Sequence, residues 1–133
     1  MSAQNSVRIL IVDDHDGLRL AIRNLLECQR GFEICGEAKD GAAGVEKVAA
    51  LKPDVVILNI VMPVMDGFEA ARQIMAVSPH SRIVMLSSYK DQQLLEQARN
   101  VGAVCYVPKS DDAEHELIEA VKAAAGGESS ALV

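Results

Sequence analysis

Five short apolar runs recur along the chain, and segments with helical spacing separate them. The runs are VRILIV (Val7–Val12), FEICGEA, DVVILNI, RIVMLSS and AVCYVP. Each is aliphatic and largely β-branched, too short for a stable helix, and bounded by polar residues, which predicts a strand. After the runs, apolar residues fall on one helical face: Leu18, Ile22, Leu25 and Leu26; Val45, Val48 and Leu51; Phe68, Ala71, Ile74 and Met75; Leu94, Leu95 and Ala98; Leu117, Ile118, Val121 and Ala124. A strand that is apolar throughout must be covered on both faces, and strand–helix alternation demands crossover connections. The prediction is a doubly wound α/β domain with a five-stranded parallel sheet.

Punctuation residues set the boundaries. Asp40 and Gly41 precede the second helix and Pro53 ends it; Pro63 and Gly67 bracket the loop into the third, and Pro79 closes it. Asp16 is expected to cap the first helix and Asp91 lies where the fourth begins. Residues 1–6 read as an N-terminal extension and 7–125 as one domain. Residues 126–133, GGESSALV, read as a flexible tail or the start of a linker.

A chain of 133 residues, half of them hydrophobic, can bury a core without disulfides or a structural metal. Its net charge of -6 and pI near 5.0 argue against a surface for the phosphate backbone of nucleic acid. Cys28, Cys35 and Cys105 are odd in number, far apart and in apolar surroundings, so each reads as a small buried hydrophobe in a reducing compartment. The first residues, MSAQNS, lack the pattern of a secretory signal, and no apolar run approaches the roughly 20 residues of a membrane span. A cytoplasmic protein is expected.

In an open α/β sheet, functional groups gather beyond the carboxyl ends of the strands. The residues there are Asp13 and Asp14, Asn59, Ser87 and Ser88, and Lys109. Two adjacent acids at a strand end suit a shared hard cation, Mg²⁺ above all, although the same residues could simply cap a helix. Lys109 could hold an anion such as a phosphoryl group or pair with the acids, and by itself it could equally be a solvated loop lysine. Ser87 and Ser88 could present a hydroxyl and a backbone N–H to phosphoryl oxygens, or cap the following helix. Their convergence on one rim carries more than any of them alone. His15, beside the acids, reads as solvated, as do His80 and His115; Met62, Met65 and Met75 read as loop and core packing.

The motifs VRILIVDDHD, DVVILNIVMPVMDGFEA, RIVMLSSY and GAVCYVPKS, in this order, resemble the receiver domains of two-component response regulators from Val7 to about Ala125. The end of the last helix, EAVKAAAGGESS, resembles receivers of the NarL/FixJ type, which precede a helix-turn-helix DNA-binding domain. The resemblance implies a flavodoxin/CheY-like (βα)5 fold. It also implies phosphotransfer from a sensor histidine kinase to an aspartate at the end of the third strand, with Mg²⁺ neutralising charge. It assigns Mg²⁺ to Asp14 directly, to Asp13 largely through water and to the carbonyl of Val61. Lys109, the Ser87 hydroxyl and the amides of Val61 and Ser88 would hold the phosphoryl oxygens. Ser87 and Tyr106 would form the switch, unless Tyr106 is an ordinary strand tyrosine. A homodimer through the helix beginning near Asp112, and DNA contact only through a separate output domain, are further implications. The module is not expected to be an enzyme in its own right.

The position of the phosphoaccepting aspartate is Asn59. A carboxamide is not a usable nucleophile toward phosphorus, because its nitrogen lone pair is delocalised and its oxygen carries no full charge. Phosphorylation at residue 59 should fail; the Asn59 carbonyl oxygen could still contact a cation, but Mg²⁺ should bind more weakly with one negative charge gone. Two origins fit: an introduced Asp-to-Asn replacement that traps the unphosphorylated state, which the otherwise intact site favours, or a natural receiver that acts through protein–protein contacts alone. A second departure is Val107-Pro108 ahead of Lys109 with Ser110 after it, where many receivers carry a cis proline after the lysine. Two other classes share the topology. A small Mg²⁺-dependent phosphohydrolase is opposed by Asn59 and the short chain. A flavodoxin-like redox protein is opposed by a composition with two Tyr, two Phe and no Trp, which leaves little to stack on a flavin.

Overall fold

The computed structural model describes residues 6–88, 91–109 and 113–126. Strands and helices alternate as β1 (Val7–Val12), α1 (Asp16–Glu27), β2 (Phe32–Ala38), α2 (Gly41–Leu51), β3 (Val55–Asn59), α3 (Gly67–Val77), β4 (Arg82–Ser87), α4 (Gln92–Asn100), β5 (Ala103–Pro108) and α5 (Ala113–Ala125). The sheet is wholly parallel in the order β2-β1-β3-β4-β5. This is the doubly wound architecture that the sequence predicts.

The pleat divides the central strands between two cores. Leu10 and Val12, Val56 and Leu58, and Ile83 and Met85 face one side, against Val48 of α2, Ala70, Ala71 and Ile74 of α3 and Ala98 of α4. Ile9 and Ile11, Val55 and Ile57, and Val84 and Leu86 face the other, against Ile22 and Leu26 of α1 and Leu117, Val121 and Ala124 of α5. Each such aliphatic side chain stabilises the fold by about 1.5–3 kcal/mol through removal from water. β2 is an edge strand, and only Ala38 of its residues is fully buried.

Register delivers the functional groups to one rim. Val12 pairs with Leu58, so Asp13 lies level with Asn59, the last residue of β3. Asn59 pairs with Leu86 and Ser87 pairs with Pro108, so Ser87 and Lys109 follow one step along. Short caps hold the connecting helices: Asp40 accepts from the Ala43 amide at 2.8 Å, Asp66 from Glu69 at 2.9 Å and Asp91 from Gln93 at 2.7 Å.

Several local expectations change. His15, not Asp16, occupies the N-cap of α1; its side chain makes no capping bond, and Asp16 is already helical. The chain turns so tightly after β1 that the His15 amide is taken up by Asp13. The cysteines do not share one environment: Cys105 is buried, Cys35 is intermediate and Cys28 is exposed. Cys28 caps the C-terminus of α1, beyond the buried stripe of Ile22 and Leu26. Partial burial pushes the Cys35 thiol above its ordinary pKa. Residues 1–5, Ser110, Asp112 and the segment 127–133 lie outside the described residues, so the extension, the loop after Lys109, the start of the last helix and the tail do so in whole or in part.

Candidate functional site

Backbone bonds carry the sheet one residue past its strands at this rim. Asp13 donates to the Ala38 carbonyl at 3.0 Å, Ile60 to Leu86 at 3.2 Å and Lys109 to Ser87 at 2.6 Å. The loop from Ile60 to Asp66 then folds back, because Gly67 donates to the Ile60 carbonyl at 2.7 Å. Only glycine permits this approach. A Cβ at residue 67 would meet the Asn59 carbonyl oxygen at 2.5 Å and the Ile60 Cα at 2.7 Å.

Asn59 sits at the centre, with only 4% of its surface exposed. Its Nδ2 donates to Asp14 Oδ1 at 3.2 Å and to the Val61 carbonyl at 3.0 Å. Its Oδ1 accepts from Lys109 Nζ at 3.4 Å. Chemistry decides this orientation of the carboxamide, since the reverse would set oxygen against two oxygens and an NH2 against an ammonium. Lys109 Nζ also lies 3.8 Å from Asp13 Oδ2.

Asp13 is 1% exposed, and its Oδ2 has no hydrogen-bond partner among the described residues. Its Oδ1 is engaged by the His15 amide at 2.8 Å. The His15 ring, largely solvated, nevertheless brings Nδ1 to 3.3 Å from both Asp13 Oδ1 and Asp14 Oδ1. Asp13, Asp14 and His15 thus present ligand atoms within 4.8 Å of one another. A buried carboxylate oxygen without a donor, next to a second carboxylate, fits a hard divalent cation. Asn59 does not contribute in the same sense, because it turns N–H rather than oxygen toward Asp14 and Val61.

The remaining predicted residues are unevenly placed. Ser87 is buried at the end of β4, whereas Ser88 is exposed in the bend that follows. Val61 projects its side chain to solvent while its carbonyl turns to Asn59. Tyr106 is 2% exposed and packs in the core beneath α2, α3 and α4.

Arg19 was not legible as a site residue. It donates to the Asp13 carbonyl at 2.7 Å, to Asp16 at 2.7 Å and to Glu37 at 3.0 Å, tying the acidic loop to β2. Its bond to Asp16 above all, opposed by burial and aided by its bond to Glu37, raises its pKa above the ordinary value. Arg23 also bonds Glu37. The one available signal was an arginine a helical turn after Asp16; its partner on β2 is a long-range contact.

The response regulator receiver domain family matches residues 9–122. The chain belongs to this receiver family. Among its relatives, the transcriptional regulatory protein LiaR of Bacillus subtilis is 37% identical over 122 residues, covering 92% of this chain and 57% of LiaR. A protein-glutamate methylesterase/protein-glutamine glutaminase of Geobacter sulfurreducens is 40% identical over 129 residues, covering 90% of this chain and 35% of that protein. The receiver superimposes on a two-component response regulator of the LuxR family from an Aurantimonas species with a TM-score of 0.89 and 31% identity, over 93% of this chain and 88% of that one. It matches the response regulator domain of Thermotoga maritima CheB with a TM-score of 0.84 and 31% identity, over 91% and 97% of the two chains. The chain spans roughly half the length of the transcriptional regulators it matches or less of the methylesterase. Among the described residues, no helix is long and apolar enough to cross a membrane.

Proposed function

We propose that this receiver is the input module of a NarL/LuxR-type transcriptional response regulator, held in the unphosphorylated state at residue 59 by a carboxamide. The observation that carries the reading is the position of Asn59, enclosed by Asp14, Val61 and Lys109 at the carboxyl end of the central strand. An aspartate there would be an acceptor for a phosphoryl group from a sensor histidine kinase. In that role Asp14, the Val61 carbonyl and, through water, Asp13 hold Mg²⁺, which would supply positive charge against the phosphoryl oxygens. Lys109, the Ser87 hydroxyl and the amides of Val61 and Ser88 receive those oxygens. Ser87 and Tyr106 carry the switch, and both side chains are buried in this structure.

Residues 7–125 act as the module and the segment from 126 leads toward an output domain. The greater length of LiaR supports an output domain beyond the receiver, through which DNA would be contacted. A homodimer through α5 and a cytoplasmic location belong to the same reading. The intact set of Asp13, Asp14, Ser87 and Lys109 around a single altered residue favours a replacement in an otherwise competent site. A second reading, a natural phosphorylation-independent receiver, draws support from the way the Asn59 amide satisfies its surroundings.

Intact-mass detection after incubation with Mg²⁺ and a small-molecule phosphodonor tests the proposal on this chain and its Asn59→Asp counterpart. A phosphoryl adduct on the Asn59→Asp protein alone is the expected result. An adduct on neither would mean a degenerate receiver whose input lies elsewhere.

A further inference from the structure

A carboxylate at residue 59 has two equivalent oxygens and could serve a cation with one and a lysine with the other. The Asn59 carboxamide has one oxygen, and Lys109 Nζ already approaches it at 3.4 Å. Its nitrogen lies 3.2 Å from Asp14 Oδ1 and 3.0 Å from the Val61 carbonyl oxygen, joining two oxygens from different loops. These are two of the oxygens that the proposed function assigns to Mg²⁺.

We infer that the Asn59 NH2 stands in for the cation, closing the rim by hydrogen bonds, and that Lys109 and any divalent cation compete for the single Asn59 oxygen. To offer that oxygen to a cation, the carboxamide must rotate by half a turn. The cation would then relieve the contacts with Asp14 and Val61, but the NH2 would face the Lys109 ammonium, donor against donor. Lys109 must therefore leave residue 59 before Asn59 can ligate. Asp13 Oδ2, buried and without a hydrogen-bond partner 3.8 Å from Nζ, offers the lysine an alternative partner, yet it is itself an oxygen a cation would use. Both routes place Lys109 in opposition to the metal. The receiver consequently keeps its closed arrangement at Mg²⁺ levels that would saturate an aspartate at residue 59, and Lys109 is the residue that keeps it there.

This inference rests on the reading of the rim as a cation and phosphoryl pocket, and its test separates the two. Mg²⁺ is titrated by calorimetry into the full chain, Asn59→Asp, Lys109→Met and the double variant, with the Asn59 side-chain NH2 resonances followed by ¹⁵N-labelled nuclear magnetic resonance. Amide dispersion checks folding, and Lys109→Gln replaces Lys109→Met if the latter does not fold. The NH2 resonances of the parent are expected to stay in place at Mg²⁺ levels that saturate Asn59→Asp, whose binding is tighter by about tenfold or more. Lys109→Met removes a positive charge in both backgrounds, but it frees the oxygen only where residue 59 is asparagine. It should therefore tighten Mg²⁺ binding by a larger factor in the Asn59 chain than in Asn59→Asp. Equal factors in the two backgrounds, or NH2 resonances that move with Mg²⁺ while Lys109 is present, would overturn the competition. Failure of Asn59→Asp to bind Mg²⁺ at all would remove the reading of the pocket itself, and this inference with it.

Discussion

At the amino end of the sheet, the Arg8 amide donates to Asp54 at 2.8 Å, its guanidinium to the Leu51 carbonyl at 2.7 Å, and Ser81 Oγ to the Pro53 carbonyl at 2.6 Å. At the carboxyl end the comparable side-chain separations are 3.2 Å between Asn59 and Asp14, 3.4 Å between Lys109 and Asn59, and 3.8 Å between Lys109 and Asp13. The same strands supply both ends, and both bring polar groups to the sheet. The amino end matches them in tight pairs. The carboxyl end also has short bonds, from Asn59 to Val61 and from His15 to Asp13, but among the described residues it leaves a buried carboxylate oxygen without a hydrogen bond and holds Lys109 only by long contacts. Proteins give up stability in this way at the place where a ligand is to be bound.

The largest effect is expected where the backbone scaffold of the carboxyl end is disturbed. Gly67→Ala drives a Cβ into the Asn59 carbonyl and should cost about 3 kcal/mol, since backbone rather than a flexible side chain must give way. Urea unfolding measures it; a loss below that of an ordinary surface substitution would mean the loop is not held by this approach.

Next comes the tight end. Ser81→Ala removes the bond to Pro53 and the partner of Ser78 Oγ at 2.7 Å, and should cost about 1–3 kcal/mol in the same assay, independent of Mg²⁺. A dependence on Mg²⁺ would show that the two ends are coupled.

The loose end should respond in the opposite way. Asn59→Asp places carboxylate oxygens against Asp14 and Val61, so without metal it should lower stability by about 1–2 kcal/mol, and Mg²⁺ should restore it. Thermal unfolding with and without Mg²⁺ reads both halves, and an Mg²⁺-insensitive midpoint would mean that the carboxyl end does not take up the cation.

The smallest effect is expected at Val64, an exposed loop residue. It holds φ at 71° while Met65 donates back to the Pro63 carbonyl at 2.7 Å, forming a tight turn that a β-branched residue adopts only under strain. Val64→Gly should relieve about 1 kcal/mol of strain, most of it offset by the added freedom of the unfolded chain. A gain of a few tenths of a kcal/mol is expected by calorimetric melting. A clear loss would mean that the Val64 side chain stabilises the loop.

Much of this molecule could be read from local pattern. The apolar runs gave strand identity because burial on both faces of a parallel sheet removes the alternation that a half-solvated strand would show. Asp40 and Asp91, placed at helix starts from the sequence, cap α2 and α4 through their own side chains, a property decided within three residues of sequence; Asp66 does the same for α3. Cys28 misled because an apolar neighbourhood in sequence says nothing about which side of a helix end faces water. Asp16 misled because the N-cap depends on where the turn out of β1 begins, which a backbone bond between Asp13 and His15 decides.

By itself, the sequence determined the doubly wound fold, the rim on which Asp13, Asp14, Asn59 and Lys109 meet, and the presence of a carboxamide rather than a carboxylate at residue 59. These follow from periodicity, strand ends and the identity of one side chain. Only the tertiary structure decided which way Asn59 points, that Asp13 Oδ2 is left with a long ion pair to Lys109 and no hydrogen bond among the described residues, and that Arg19 braces the acidic loop. Asn59 lies 45 residues from Asp14 and 50 from Lys109 along the chain, and strand register alone brings the three together. A shift of one residue would turn each side chain to the opposite face, so contacts of this kind exist only once the whole sheet has formed.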